Sequence, residues 1–123
     1  MKDCTLKVTC NGSGAGSATS TQSFQGWLVA LDYIPGTIDT GATITVTDET
    51  NDGASITIYL KASAGTSNVR KYPRTLQQLD TDGSDLTTHT FPLFVGNPKL
   101  AVSSGGAGGI GSVKLYFLDL TDD

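Results

Sequence analysis

Ser23-Phe24-Gln25-Gly26-Trp27-Leu28-Val29-Ala30-Leu31-Asp32-Tyr33-Ile34-Pro35-Gly36 holds the only Trp of the chain and its longest dense apolar run. Side chains of an extended strand alternate between two faces. Trp27, Val29, Leu31 and Tyr33 are therefore expected on one face, and Phe24, Leu28 and Ala30 largely on the other. Neither face reads as solvated, which predicts a central strand covered on both sides. Pro35-Gly36 stops it, because Pro has no ladder donor and fixes φ at a value a turn needs, while Gly accepts φ > 0 next to it. The rest of the chain must pair with this strand or pack on it.

The composition agrees with that reading. Of 123 residues, 37% are hydrophobic and 15 are Gly, and the many Thr and Ser favour strands and turns over helices. The length suits one domain over residues 1–123 with its own core. A formal charge of −4 argues against a duplex nucleic acid partner, since that binding needs a field of Lys and Arg to displace counterions. Met1-Lys2-Asp3-Cys4 lacks the apolar core of a signal peptide, and no stretch reaches the ~20 apolar residues that span a bilayer. The expectation is a protein made and kept soluble in a cytoplasm, without a membrane partner. Cys4 and Cys10 lie on one face of an alternating stretch with Leu6 and Val8. A strand holds them about 20 Å apart, too far for a disulfide, so two free core thiols are expected.

Along the chain, residues 11–20 are rich in Gly, Ser and Ala and read as a flexible loop. Asn11-Gly12-Ser13 matches a glycosylation sequon, which is idle without secretion. Residues 42–48 and 54–61 alternate Thr with Ile, Val, Tyr and Leu, and Asp52-Gly53 between them suits a tight turn; this is the clearest hairpin. Residues 62–85 show no strong period and read as a long surface excursion, with at most a helical turn at 75–80. From Leu86 strand character returns, with Pro92 marking an edge or a bulge. Gly96-Asn97-Pro98 reads as a turn, Lys99 to Ser103 as a strand, Gly105 to Gly111 as a flexible hairpin tip, and Ser112 to Leu120 as the last strand. The fold class is all-β: an antiparallel β-sandwich or jelly roll of about seven to eight strands.

Few groupings carry chemistry. Gly106-Ala107-Gly108-Gly109-Ile110-Gly111 fits the letters of a dinucleotide fingerprint, but the segment after it reads as a strand where pyrophosphate binding needs a helix N-terminus. No cofactor is expected. Asp80, Asp82 and Asp85 are close in sequence without EF-hand spacing and read as a solvated turn. His89 is the only histidine; it reads as an ordinary strand residue with no nucleophile motif beside it. A hydrolase would have to use Asp32 and Glu49 as its acid/base pair, and no enzyme activity is expected. Arg70, Lys71, Tyr72 and Arg74 form the densest basic cluster of an acidic chain. Arg and Tyr suit interface hot spots, so these four are the candidate protein-interface residues, with Asp119, Asp122 and Asp123 of a neighbouring copy as counterparts.

Three blocks together resemble a known group. They are Gly26 to Tyr33 running into Pro35-Gly36-Thr37-Ile38 and Gly41 to Thr45; Ala64-Gly65-Thr66-Ser67-Asn68 with Tyr72-Pro73-Arg74; and Gly96-Asn97-Pro98-Lys99-Leu100 with Gly105-Gly106 before Val113-Lys114-Leu115-Tyr116. The chain from Gly26 to Tyr116 is in this respect similar to small virion structural proteins of tailed bacteriophages. The resemblance brings no catalytic motif. It implies a head decoration or cement protein on the capsid surface, made in the host cytoplasm. Its partners would be itself, as a homo-oligomer with a trimer as one closed form, and the major capsid protein. The alternatives are a tail or baseplate component and a carbohydrate- or receptor-binding module. Against the latter, the only Trp falls in the strand that reads as most buried.

Overall fold

The computed structural model describes residues 1–49, 55–78 and 85–119. Among them are eleven strands and no helix: β1 Lys2–Thr9, β2 Gly16–Thr19, β3 Gly26–Ile34, β4 Thr43–Glu49, β5 Ser55–Lys61, β6 Val69–Lys71, β7 Thr75–Gln78, β8 Asp85–Thr90, β9 Leu93–Phe94, β10 Asn97–Ser103 and β11 Ile110–Asp119. Sheet A runs β1-β11-β3-β6 with β9 also on β3. Sheet B runs β2-β10-β4-β5, and β7 pairs β8 apart from both. All pairings are antiparallel. The all-β sandwich is as expected; the strands beyond seven or eight are mostly short ones.

Sheets A and B share one core. Leu6 and Val8 of β1, Leu28, Leu31 and Tyr33 of β3, and Val113, Leu115 and Phe117 of β11 meet Ile44 and Val46 of β4 and Leu100 and Val102 of β10. These positions alternate with less buried ones along β1, β4, β10 and β11, the period-2 pattern of strands buried on one face. Phe117 stacks on Phe24 at 4.6 Å between ring centroids and takes the edge of Phe94 at 5.1 Å. Cys10 is buried and Cys4 half-buried, both free; burial pushes the Cys4 thiol up.

The strand around Trp27 is central in sheet A, but its faces are not the expected ones. Its register with β11 shifts between Tyr116 and Phe117, so that Leu28 pairs with Phe117 and Ala30 with Tyr116, leaving Val29 as an extra residue. A bulge of this kind reverses the alternation. Leu28, Leu31 and Tyr33 consequently all reach the core, while Trp27 and Val29 are only half-buried. Sheet B covers the inner face, and the outer face is left partly open.

Three other expectations are corrected. Residues 16–19 of the supposed flexible loop form β2, which pairs with β10 from Val102↔Gly16 to Lys99↔Thr19. Small residues suffice there because the ladder, not side-chain burial, defines the strand. Ahead of it, Asn11 Oδ1 accepts hydrogen bonds from the backbone amides of Ser13 and Ala15. The excursion over 62–85 contains β6 and β7, and Thr75–Gln78 is a strand on β8 in the stretch read as a helical turn at most. Residues 105–111 do not tip a hairpin: β10 lies in sheet B and β11 in sheet A, so this Gly-rich segment is a crossover between sheets. It is tied down by Asp39 N to Gly105 O, Gly105 N to Gly14 O and Cys10 N to Gly109 O. The Asp52-Gly53 turn and residues 80–84 of the acidic cluster lie outside the described residues; Asp85 opens β8.

Candidate functional site

The bulge at Val29 shapes the outer face of sheet A. A groove of about 470 Å³ there is lined by Met1, Val29 and Ala30, by the rings of Tyr72, Phe91 and Tyr116, and by Arg70 and Arg74. Apart from Met1, the lining side chains come from β3, β11, the stretch from β6 to β7 and the link between β8 and β9. Arg70 lies on β6, which pairs with β3 so that Arg70 sits opposite Asp32. Tyr116 lies on β11 opposite Ala30. Phe91 is fixed because β8 and β9 are interrupted by Pro92, whose carbonyl accepts from Leu28 N at 2.8 Å.

Of the four residues singled out by charge, the structure brings three together. Arg70, Tyr72 and Arg74 line the groove. Lys71 pairs with Leu31, whose side chain faces the core. Paired residues share a sheet face, so strand alternation sends Lys71 to the other side. Arg70 is already committed within the chain: its Nε and Nη2 donate to Asp32 Oδ1 and Oδ2 at 2.6 and 2.9 Å, and Tyr116 Oη donates to Asp32 Oδ2 at 3.0 Å. The Arg70 guanidinium holds the Asp32 carboxyl below the usual carboxylate range, with the Tyr116 hydroxyl helping. Arg74 differs. Its guanidinium lies 4.1 Å from the Phe91 ring centroid, and Nη1 donates to the Pro73 carbonyl at 2.7 Å, with a longer contact to Val29 O. Among the described residues no carboxylate forms an ion pair with it.

Beside the groove, the register places three apolar side chains in one row across sheet A: Leu118 of β11, Trp27 of β3 and Leu93 of β9. Leu118 is 50% and Leu93 41% exposed, and Phe91 and Val95 close by in sequence are exposed as well. Such clustering of large exposed apolar groups marks contact surfaces on soluble proteins. Sequence reasoning missed this row, because it assigned Trp27 to a doubly covered strand. The signal available was Leu118, an apolar residue out of phase with the inward Val113, Leu115 and Phe117.

Asp32 and Glu49 stand on different sheets, the first held by Arg70 and the second 3.7 Å from Lys99 Nζ. The structure does not bring them together. His89 is an exposed residue of β8 paired with Leu76. Ile110–Asp119 is a strand directly after the Gly-rich stretch, so that stretch does not open a helix. No group of metal-ligating side chains is found among the described residues. Compared with protein-family models, curated proteins and solved structures, the chain matches none.

Proposed function

We propose that this chain is a virion structural protein of a tailed bacteriophage, acting as a head decoration or cement protein that contacts the capsid and its own copies through the outer face of sheet A. The observation that carries the reading is the combination on that face of an apolar row, Leu118-Trp27-Leu93, with an Arg- and Tyr-lined groove. Protein interfaces concentrate binding energy in such Arg and aromatic side chains within an apolar surround. The setting comes from the sequence resemblance. A shell protein of this kind converts many weak lattice contacts into particle stability through multivalency, and a chain of net charge −4 avoids nonspecific attachment to packaged DNA.

The test is quantitative mass spectrometry of purified particles of the phage whose genome carries this sequence. Hundreds of copies per particle support the decoration role; a handful would move the chain to the tail or baseplate; its absence from particles would overturn the reading.

A carbohydrate- or receptor-binding role is favoured by Tyr72, Phe91 and Tyr116 around one groove, since aromatic rings stack on sugars. Two of those rings already carry guanidinium groups, Arg74 over Phe91 and Arg70 5.3 Å from the Tyr116 centroid. One face of each is thus occupied, which leaves this reading second. Glycan-array binding that is lost in Tyr72→Ala would raise it to first.

A further inference from the structure

We infer that β5, at the edge of sheet B, pairs antiparallel with β5 of a second copy of the chain. This contact is separate from the outer face of sheet A. An edge strand presents a row of backbone N–H and C=O groups that another extended backbone matches. Among the described residues, sheets A and B end in β1, β6, β9, β2 and β5. The first four carry features that keep a further strand away. β1 bears Lys2, Asp3 and Lys7, and β6 has three residues that include Arg70 and Lys71. β9 has two residues and follows Pro92, while β2 has four small residues and lies beside β1. Short, charged and Pro-flanked edges resist strand addition. β5 is seven residues long with no charge from Ser55 to Leu60. Ile56 is 53% and Leu60 60% exposed, and among the described residues the strand pairs with β4 alone.

The bulge in β5 spreads its apolar side chains over both faces. The register with β4 shifts between Val46 and Thr47, leaving Ile58 as an extra residue, so Ile56 pairs with the inward Asp48 and Leu60 with the outward Thr45. Paired residues share a face. A strand laid along this edge therefore covers apolar groups on either side of the sheet. Charge selects the occupant and its direction. Lys61 closes one end of β5, and Ser55 at the other end pairs with Glu49, which Lys99 meets only at 3.7 Å. An antiparallel partner of the same sequence brings each Lys61 to the end that adjoins the other copy's Glu49. A parallel one would set Lys61 against Lys61. Because the same patch serves both copies, the pairing closes at two and consumes both edges.

The experiment is amide hydrogen exchange of the full chain at low and high protein concentration, beside sedimentation equilibrium, for the wild type, Ile56→Lys and Leu60→Lys. In the wild type, the amides of 55–61 that point away from β4 are expected to become better protected as concentration rises. Both substituted side chains are exposed, so each Lys should leave the fold intact and weaken the pairing at least about tenfold by charging the edge. Exchange of the core amides of β11 should match in all three proteins, which separates lost pairing from a folding defect. A wild type that stays monomeric throughout, or one that associates with no change in protection over 55–61, overturns the pairing. So do Lys variants that keep the concentration-dependent protection. Leu93→Asp should leave the protection of β5 as in the wild type, so the contact through sheet A and this one stand or fall separately.

Discussion

Asp32 on β3 and Arg70 on β6, 38 residues apart in sequence, are joined by two parallel hydrogen bonds of 2.6 and 2.9 Å. This two-pronged geometry is the strong form of a guanidinium–carboxylate contact. It fastens the three-residue strand β6, and with it Tyr72 and Arg74, to the outer face of sheet A. The pair is partly solvated, so its share in stability is small; its effect is positional.

The pH dependence follows from the lowered carboxyl of Asp32. An unfolded Asp titrates near 3.9 and the folded one lower, so the pair contributes fully above the unfolded value and its contribution is lost as pH falls through the folded value. Urea midpoints of wild type and Asp32→Asn are expected to differ by a constant amount down to about pH 5 and to converge below it. A gap that stays the same size however far the pH is lowered would show that Asp32 acts through something other than its charge.

Asp48 is a buried carboxylate, 3% exposed, on the inner face of sheet B. Its two oxygens accept from Val95 N at 3.0 Å and Gly96 N at 2.9 Å, which ties the link between β9 and β10 to β4. Asp48→Ala leaves two amides without partners and is expected to cost about 2–4 kcal/mol in chemical denaturation. Gly96→Ala should be comparably harmful, because a Cβ there runs into the carbonyl of Glu49. Near-wild-type midpoints for both would mean that the link is held by other contacts.

Phe117 is fully buried between Phe24 and Phe94. It belongs to β11, whereas Phe24 precedes β3 and Phe94 lies on β9, so one side chain joins three segments. Phe117→Ala is expected to lower stability by about 3–5 kcal/mol, whereas Phe117→Leu, which keeps most of the volume, should cost less. Equal losses in thermal unfolding would argue that the ring stacking itself, not the filled volume, dominates.

How far the chain could be read from its sequence depended on whether side-chain alternation carried the information. In β4, Thr43 to Glu49 alternates without interruption, and both the strand and its face were legible. In β3 the same rule put Trp27 and Leu31 on one face; the extra residue at Val29 reversed the phase, and nothing in Leu28-Val29-Ala30-Leu31 marks a bulge. β2 was not legible because Gly16, Ser17, Ala18 and Thr19 carry no large apolar side chain. The crossover at 105–111 was misread since glycines permit a turn equally well between paired strands and between sheets. At the candidate site, clustering revealed Arg70, Tyr72 and Arg74. The contributions of Asp32, Phe91 and Tyr116 depend on register, which no local pattern encodes.

Tyr33 presents the opposite case to Asp48. Its ring is in the core, and its hydroxyl is buried with no hydrogen-bond partner among the described residues; burial pushes its pKa up. Tyr33→Phe removes an unpaired polar group while keeping the ring, and is expected to raise stability by about 1 kcal/mol. A destabilised variant in urea titration would reveal a partner for the hydroxyl, such as a buried water.

Leu93 and Leu118 flank Trp27 across sheet A with their side chains largely outside the core. Because neither fills core volume, Leu93→Asp and Leu118→Asp should each shift folding stability by no more than about 0.5 kcal/mol. Their effect is expected in association, where a carboxylate placed in an apolar contact must be desolvated without a partner. Trp27 reports on that event from within the row. Its fluorescence should be open to acrylamide quenching in dilute protein and become shielded as concentration rises, and shielding should be absent in both variants. If Trp27 quenches equally at all concentrations while the wild type nevertheless associates, the contact lies on another face of the sandwich, and the groove beside Arg74 loses its role with it.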